Sequence, residues 1–307
     1  MLKNQLFGVE VEMTGITRAG AAKIIAEFFG TSPSKANRNV YHTQIIKDPV
    51  GREWKVMRDG SIRCTRNNSQ GGTLDEYSVE MVTPPLNYED IDLLQKIIRK
   101  LRENGAVTNS SCGIHVHVDG ANHTPNSLKR LVNFMIARQN LIYEALEISQ
   151  REQRWCRKIN ANILKEMKKL TELTRADAEC IWYSEANDGY ASGISHSHYN
   201  PTRYHGINLH SYFSKGTVEF RLFNSTLHAG KIKAYIQFCL AVSAWAITSQ
   251  DKVVFRSMEG YTPGQKVTIM RNILTNRLGL YGDEFKTCRL HLMTPLKQAA
   301  KITYPAA

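Results

Sequence analysis

The chain has 307 residues, and its 42% hydrophobic content is enough for a sizeable core in one large domain or two small ones. We expect one domain with helical additions. Lysine and arginine number 40 against 28 acidic residues, and the net charge of +12 favours anionic partners such as nucleotides, acidic peptides or nucleic acid. The six cysteines lack the paired spacing of a zinc ribbon or a thioredoxin motif, so we expect reduced thiols.

Localisation is suggested by what the sequence lacks. The segment from Met1 to Phe7 has no apolar core of signal-peptide length, and the apolar stretch from Tyr235 to Ile247 is too short and interrupted to span a bilayer. Basic runs at Lys96 to Arg102 and Lys165 to Lys169 fall in helical patterns, which is typical of solvated faces. The sequence therefore predicts a cytoplasmic protein without membrane contact, and it argues against nucleic acid as the partner.

Strand and helix patterns alternate in the first part of the chain. Apolar and acidic side chains alternate over residues 6 to 12, which predicts a strand with one apolar and one charged face. An amphipathic helix is predicted from Ala19 to Phe29, ended by Gly30. The next predicted elements are strands at Val40 to Ile46, Glu53 to Arg58 and Glu76 to Thr83, and a helix at Ile91 to Leu101.

Helical patterns dominate the rest. A strand at Gly113 to Val118 precedes three predicted helices, at Ser127 to Ile148, Ile159 to Leu170 and Arg175 to Trp182. Strand patterns return at Tyr204 to Phe213 and Thr217 to Phe223. A buried helix at Ile232 to Ile247 and a basic helical tail after Pro263 complete an α+β pattern.

Polar pairs recur at positions i and i+2 of otherwise apolar strands: Glu10 with Glu12, His115 with His117, and Glu219 with Arg221. The strand period of two places each pair on one face, while the apolar residues between them face a core. Glu80 lies in a similar pattern and adds a carboxylate. One sheet face is thus predicted to gather carboxylates, imidazoles and a guanidinium.

Carboxylates crowded on one face repel each other and do not all ionise unless cations neutralise them. Because the set is mostly oxygen, Mg²⁺ or Mn²⁺ suits it better than Zn²⁺. An arginine two residues from a ligand glutamate, as Arg221 is from Glu219, is well placed to stabilise a phosphoryl group in transfer.

Each pair also has a simpler interpretation when taken alone. Glu10 with Glu12 is typical of a solvated strand face, Glu219 with Arg221 of a surface ion pair, and Asp59-Gly60 of a turn. A His-x-His strand also occurs in cupins and zinc enzymes, although the residues after Val118 lack the spaced glutamate of a cupin. The joint occurrence of the pairs, in this order, favours a catalytic site.

Six segments in chain order resemble the amidoligase family, a distant relative of glutamine synthetase and glutamate–cysteine ligase. They are Phe7 to Glu12, Trp54 to Ser61, Val79 to Pro85, Cys112 to His117, Arg203 to Asn208 and Thr217 to Arg221. The resemblance spans roughly residues 6 to 250, and the combination is more specific than any one motif.

The resemblance implies a curved, largely antiparallel sheet of the glutamine-synthetase type, backed by helices, whose inner face holds ATP and two or more divalent ions. It implies a catalytic domain at residues 1–255, with a helical insertion at about 124–200, and a helical extension at residues 256–307. The activity it implies is ATP-dependent joining of a carboxylate to an amine, through an acyl phosphate, on a peptide, protein or amino-acid substrate.

Carried over position by position, the resemblance also implies residue roles. The metal ligands are Glu10, Glu12, Glu80, Glu219 and His115, with Asp59 a further acidic contributor and Glu76 an extra candidate. The catalytic residues are Arg221, Glu219 and His115, and the nucleotide or substrate contacts are Arg203, Asn208, His115, His117 and Arg221. Cys112 is read as a packing residue rather than a nucleophile.

Three other functions stay open at this point. A guanidino-kinase-like phosphotransferase of the same fold would use the same metals and arginines but would release a phosphorylated product. A zinc or cupin-like protein would centre on His115 and His117. A basic nucleic-acid-binding protein would need no catalysis, and its binding would fall steeply with salt.

Overall fold

The computed structural model describes residues 1–35, 39–66, 72–148, 150–187, 193–250 and 258–303. The chain divides into two compact units. We call Leu6–Val116 with Phe223–Lys233 the N-terminal unit, and Met1–Gln5, His117–Leu222 and Ala234–Ala307 the C-terminal unit. The predicted boundary between residues 255 and 256 lies outside the described residues and stays a prediction.

The described helices and strands follow the chain in this order: β1 (Phe7–Met13), α1 (Arg18–Phe29), β2 (Ser34–Lys35), β3 (Gln44–Lys47), β4 (Glu53–Met57), β5 (Val79–Val82), α2 (Ile91–Glu103), β6 (Gly113–Asp119), α3 (Pro125–Ala145), α4 (Ala161–Lys169), α5 (Arg175–Trp182), β7 (Ile207–Asn208), α6 (His210–Lys215), β8 (Thr217–Asn224), α7 (Ala229–Thr248), α8 (Pro263–Asn272) and α9 (Lys286–Thr303). The mixed content confirms the α+β prediction, and the helices α3, α4 and α5 fall within the predicted helical insertion.

The strands of the described residues form an eight-stranded sheet in the order β2-β3-β4-β5-β1-β6-β8-β7. The pairings of β2 with β3, β3 with β4, β4 with β5, β5 with β1 and β7 with β8 are all antiparallel. This confirms the expectation of a largely antiparallel sheet.

The structure of β1 shows the alternation of buried and more exposed side chains that the sequence predicts. Val9 and Val11 are fully buried, and Glu10 between them keeps a partly exposed side chain. The apolar residues predicted to face the core in β6 and β8, which are Val116, Val118, Val218 and Phe220, are buried as well. Burial of valine and phenylalanine side chains, at about 1.5–3 kcal/mol each, is thus a main stabilising term of these strands.

Helix α1 shows why local signals located it well. The Thr17 hydroxyl accepts a hydrogen bond from the Gly20 amide at 3.0 Å and caps the first turn. Gly30 ends the helix with φ 68°, a left-handed conformation that glycine adopts without a steric penalty. Between these caps the helix packs against β3, β4 and α2 of the same unit.

Three predicted strands differ from the structure. The strand expected from Val40 begins only at Gln44, and the strand expected from Glu76 begins only at Val79. Glu76 lies instead in a 3₁₀ helix, Leu74–Tyr77, where Asp75 is held by Arg18 and Arg58. These long-range ion pairs favour a turn over an extended chain, so the inference that Glu76 shares a strand face with Glu80 was wrong.

The segment from Tyr204 to Phe213 was also predicted wrongly as one strand. Only Ile207–Asn208 is extended, and residues His210–Lys215 form the helix α6, which Gly216 ends at φ 81°. In the helix, Tyr212 and Phe213 both come under the guanidinium of Arg175, at 4.7 and 5.9 Å from their ring centroids. A cation from another part of the chain thus holds two aromatic rings that resembled a strand pattern.

The helices of the C-terminal unit begin with matched caps. A threonine precedes each of three helices: Thr124 precedes α3, Thr174 precedes α5 and Thr262 precedes α8. Each threonine forms a reciprocal capping box with the residue three positions later. Helix α9 packs against both α3 and α8. Among the described residues, the structure contains no helix that is both long and apolar enough to cross a membrane.

A buried polar network ties the start of α3 to α7 within the C-terminal unit. His123 Nδ1 lies 3.0 Å from Ser127 Oγ, and its Nε2 lies 2.9 Å from Ser243 Oγ. Ser243 in turn donates to Gln5 Oε1 at 2.6 Å. Burial, together with the positive charge of Arg130, lowers the pKa of His123 to about 4, so the imidazole is neutral at pH 7.

This pKa predicts an acid-sensitive contribution to stability. The unfolded chain binds a proton at His123 below about pH 6.5 while the folded chain does not, so stability is present above that pH and lost as pH falls toward 4. Between pH 7 and pH 4, the free energy of unfolding should therefore fall by about 3 kcal/mol less in His123→Asn than in the wild type. Urea unfolding at both pH values measures this, and parallel losses in the two proteins would contradict it.

Close packing around Gly206 gives a second prediction. A Cβ at this position would lie 2.0 Å from the hydroxyl oxygen of Tyr143, which donates to the backbone carbonyl of Cys156 at 2.8 Å. Gly206→Ala should therefore lower the unfolding free energy by about 1–3 kcal/mol or more. The control is Gly264→Ala in α8, where a Cβ meets nothing closer than 4.0 Å. Equal denaturant midpoints for the two variants would contradict the prediction.

Candidate functional site

A group of buried ligand atoms lies in the N-terminal unit. Glu12, Glu80 and His115 each offer an atom within 4.8 Å of the others, and all three residues are buried. Glu10 joins them through His115, whose Nδ1 lies 2.7 Å from Glu10 Oε2. We call Glu10, Glu12, Glu80 and His115 the acidic cluster. Sequence reasoning had placed all four on one sheet face.

Strand register creates the acidic cluster. In the β1–β5 pair, Glu12 lies directly opposite Glu80. The amide of Gly113, at the start of β6, donates to Glu12 Oε2 at 2.6 Å, and Ser225 Oγ donates to the Glu12 carbonyl at 2.6 Å. These bonds hold the Glu12 backbone and side chain from two other segments of the unit.

His115 stands between two carboxylates. Its Nδ1 contacts Glu10, and its Nε2 lies 3.6 Å from Glu12 Oε1. His115 is 2% exposed and Glu12 3% exposed, so their polar atoms are removed from water, which strengthens the electrostatic interaction between them. Burying carboxylates together is costly unless a positive charge compensates them.

The donor set fits a hard divalent cation. Carboxylate oxygens from Glu12 and Glu80, with one imidazole from His115, are ligands that Mg²⁺ and Mn²⁺ accept. A zinc site built on His115 and His117 is less well supported, because no ligand group in the described part of the chain contains both histidines. The two other acidic candidates, Asp59 and Glu76, are not members of the group formed by Glu12, Glu80 and His115.

Asp59 has a local role in the structure. Its Oδ1 accepts the Ser61 amide at 2.6 Å, which is the geometry of an Asx turn. The Ser78 hydroxyl accepts the Asp59 amide at 3.0 Å and so attaches this turn to the start of β5. Glu76 likewise has a nearby contact, since the Thr73 hydroxyl lies 3.4 Å from its Oε1. A metal-binding role for Asp59 stays a prediction.

The C-terminal unit holds a second polar group, around Glu219. Arg221 Nη1 donates to Glu219 Oε1 at 2.5 Å, and Asn208 Nδ2 donates to Glu219 Oε2 at 2.7 Å. Asn208 faces Glu219 directly in the β7–β8 register. All three side chains are buried. The sequence pattern paired Glu219 with Arg221 and selected Asn208 separately, and the structure joins all three through one carboxylate.

His117 extends this group. Its Nε2 lies 4.0 Å from Glu219 Oε1, and its Nδ1 lies 2.9 Å from Thr217 Oγ1. Ser211 Oγ is 2.9 Å from the same threonine hydroxyl. Thr217 and Ser211 orient the imidazole, and sequence reasoning missed both because isolated hydroxyl residues carry no pattern.

Arg203 lies in a short 3₁₀ helix, Pro201–Arg203, just before β7. Its Nη1 donates to the His198 carbonyl at 2.7 Å, and its guanidinium carbon lies 5.5 Å from the Tyr204 ring centroid. The Arg221 guanidinium lies 5.9 Å from the same ring. Tyr204 thus lies beside two arginines that were predicted to contact phosphate or substrate. In the sequence, the only signal for Tyr204 was its position directly after Arg203.

Residues 3–243 match a protein family described as a putative amidoligase enzyme. The chain belongs to this family. The match covers the acidic cluster and the Glu219 group, and it ends before α8 and α9. None of the curated proteins that were compared matches the chain. Membership in the amidoligase family identifies the chain as an enzyme of the ligase type, one that forms amide bonds.

The acidic cluster predicts a metal-binding defect. Glu80→Gln keeps the shape of the side chain but removes one buried charge, so it should weaken Mn²⁺ binding about tenfold or more. Electron paramagnetic resonance of free Mn²⁺ measures the affinity. The matched control is Glu53→Gln, an exposed glutamate on β4 in the same unit. Equal affinities for the two variants would show that Glu80 is not a ligand.

Proposed function

We propose that this amidoligase joins a carboxylate to an amine with ATP, through an acyl-phosphate intermediate. The observation that carries the proposal is the buried group of Glu12, Glu80 and His115 in a member of the amidoligase family. Buried carboxylates that share one place favour a divalent cation, and Mg²⁺ or Mn²⁺ with ATP is the common partner of such sites.

In this proposal Glu10, Glu12, Glu80 and His115 hold the metal, with Asp59 as the further ligand that the family resemblance implies. The bound cation supplies positive charge that neutralises phosphate oxygens. The cluster itself keeps its carboxylates in place before ATP arrives, because Gly113 and Ser225 hold Glu12 from both sides. Preorganised charge of this kind lowers the barrier without reorganisation during the reaction.

The Glu219 group has a separate role in the proposal. Arg221 contacts the transferring phosphoryl group, and Glu219 orients its guanidinium through their ion pair. Asn208 and Arg203 contact phosphate or substrate, and His117 supports them from its position beside Thr217. The planar fork of an arginine suits a phosphoryl group better than the single point charge of a lysine.

The chemistry proceeds in two steps. A carboxylate oxygen of the first substrate attacks the γ-phosphorus of ATP, the bond to the β–γ bridging oxygen breaks, and ADP leaves. The amine nitrogen of the second substrate then attacks the acyl carbon, phosphate leaves, and the nitrogen loses a proton. The products are an amide, ADP and phosphate. No enzyme nucleophile is needed, and Cys112 is buried with its Sγ 3.7 Å from Asn109 Oδ1.

The proposal extends to substrate, sheet type and location. The net charge of +12 suits ATP and an acidic peptide or protein as the carboxylate substrate. The antiparallel sheet with acidic residues is consistent with a curved sheet of the glutamine-synthetase type. All six cysteines are free thiols in the structure, which agrees with the cytoplasm, where thiols stay reduced and ATP is available.

Mass spectrometry tests the reaction directly. With ATP, Mg²⁺ and pools of acids and amines, the protein should form a product lighter by one water than its two parents, together with ADP. Glu80→Gln should lower ADP release about a hundredfold or more, while Glu53→Gln should not. A phosphorylated guanidino product would replace the ligase with the phosphotransferase. Salt-sensitive binding to nucleic acid without ATP turnover would overturn the enzyme proposal.

A further inference from the structure

Two partly exposed aromatic rings lie together in the C-terminal unit. The ring centroids of Trp155 and Tyr204 are 5.5 Å apart with an interplanar angle of 68°, an edge-to-face contact. Trp54, Trp182 and Trp245 are buried, so Trp155 is the one of the four tryptophans that is partly exposed. Buried tryptophans are explained by packing, whereas Trp155 keeps part of its ring available.

Backbone hydrogen bonds hold this pair in register with β8. The Arg157 amide donates to the Tyr204 carbonyl at 2.9 Å, and the Gly206 amide donates to the Arg157 carbonyl at 2.9 Å. The Arg221 amide then donates to the Gly206 carbonyl at 2.8 Å. The segments that carry Trp155, Tyr204 and Arg221 are therefore joined as neighbours, and their spacing does not depend on side-chain contacts alone.

Positive charge surrounds the aromatic pair. The guanidinium carbons of Arg203 and Arg221 lie 5.5 and 5.9 Å from the Tyr204 ring centroid, and that of Arg154 lies 4.6 Å from the Trp155 ring centroid. Arg221 is neutralised by Glu219. Within the described residues Arg203 instead contacts a neutral carbonyl and the tyrosine ring, so its charge is available to an anion.

These features define a ligand with a flat ring at one end and anionic groups at the other. Stacking on an aromatic side chain accommodates any nucleobase, because every base has a π face. Arginine forks bind phosphate oxygens. The Tyr204 ring lies near both the Trp155 ring and the Arg221 guanidinium, so an aromatic surface and an arginine are neighbours of the same residue. The exposed Arg154 lies over the Trp155 ring, and its guanidinium would shift to cover the outer face of a base that stacks there, since guanidinium planes also stack.

We propose that Trp155, which Tyr204 supports edge to face, is the platform on which the base of the nucleotide stacks, with Arg203 and Arg221 directed at its phosphates. This inference rests on the proposed use of ATP and adds the place of the base, which the carboxylates and arginines alone do not specify. The platform recognises the nucleotide by its ring system, so inorganic tripolyphosphate, which lacks a base, uses only the arginines.

Isothermal titration calorimetry with two ligands tests the platform. Trp155→Ala should raise the Kd for ATP about tenfold and leave the Kd for tripolyphosphate unchanged, because only the base is affected. Trp155→Phe should restore most of the affinity for ATP. Arg203→Gln should raise the Kd for both ligands. The control is Tyr281→Ala, which removes an exposed aromatic ring elsewhere in the same unit and should change neither Kd.

Acrylamide quenching gives an independent measure in the unmodified protein. Bound ATP should protect the tryptophan fluorescence from quenching, tripolyphosphate should not, and the protection should vanish in Trp155→Phe. The platform would be overturned, with ATP use left intact, if Trp155→Ala lost affinity for ATP and for tripolyphosphate equally. An unchanged affinity for ATP in both Trp155 variants would overturn it as well. A wild-type protein that binds neither ligand would overturn the proposed function together with the platform.

Discussion

Glu12 and Glu80 face each other across the β1–β5 pair, and two carboxylates held this way are the constraint around which the N-terminal unit is organised. Their repulsion must be offset, since neither side chain reaches water freely. The unit supplies a backbone amide from Gly113 to one of them and an imidazole from His115 beside both. The divalent cation of the proposed function would supply the remaining positive charge.

The C-terminal unit uses a different solution for its buried carboxylate. Glu219 is neutralised internally, because Arg221 and Asn208 donate to its two oxygens. This pairing fixes the direction of the Arg221 guanidinium. The same arginine approaches Tyr204, and through that ring the polar group is continuous with the aromatic pair that contains Trp155. A charged group and a stacking surface thus share one backbone framework.

Local sequence patterns located the elements of the site well. Period-two alternation in β1, β6 and β8 predicted the buried valines and the polar faces, since alternation needs only the strand's own geometry. The pattern failed where distant contacts decided the conformation. The second half of the segment from Tyr204 to Phe213 was predicted as a strand, yet it lies in α6. The chain around Glu76 was also predicted as a strand, and it forms a 3₁₀ helix anchored by Arg18 and Arg58.

The sequence alone indicated the end of α1 at Gly30, which depends on residues close together in the chain. The order of its motifs indicated the family, and the family resemblance in turn implied the antiparallel sheet. Only the tertiary structure decided which polar residues meet. It placed Glu80 opposite Glu12, it left Asp59 in its own turn, and it set Trp155 against Tyr204. The physical reason is that strand register and ring contacts join residues far apart in the chain, where periodicity carries no information about the partner.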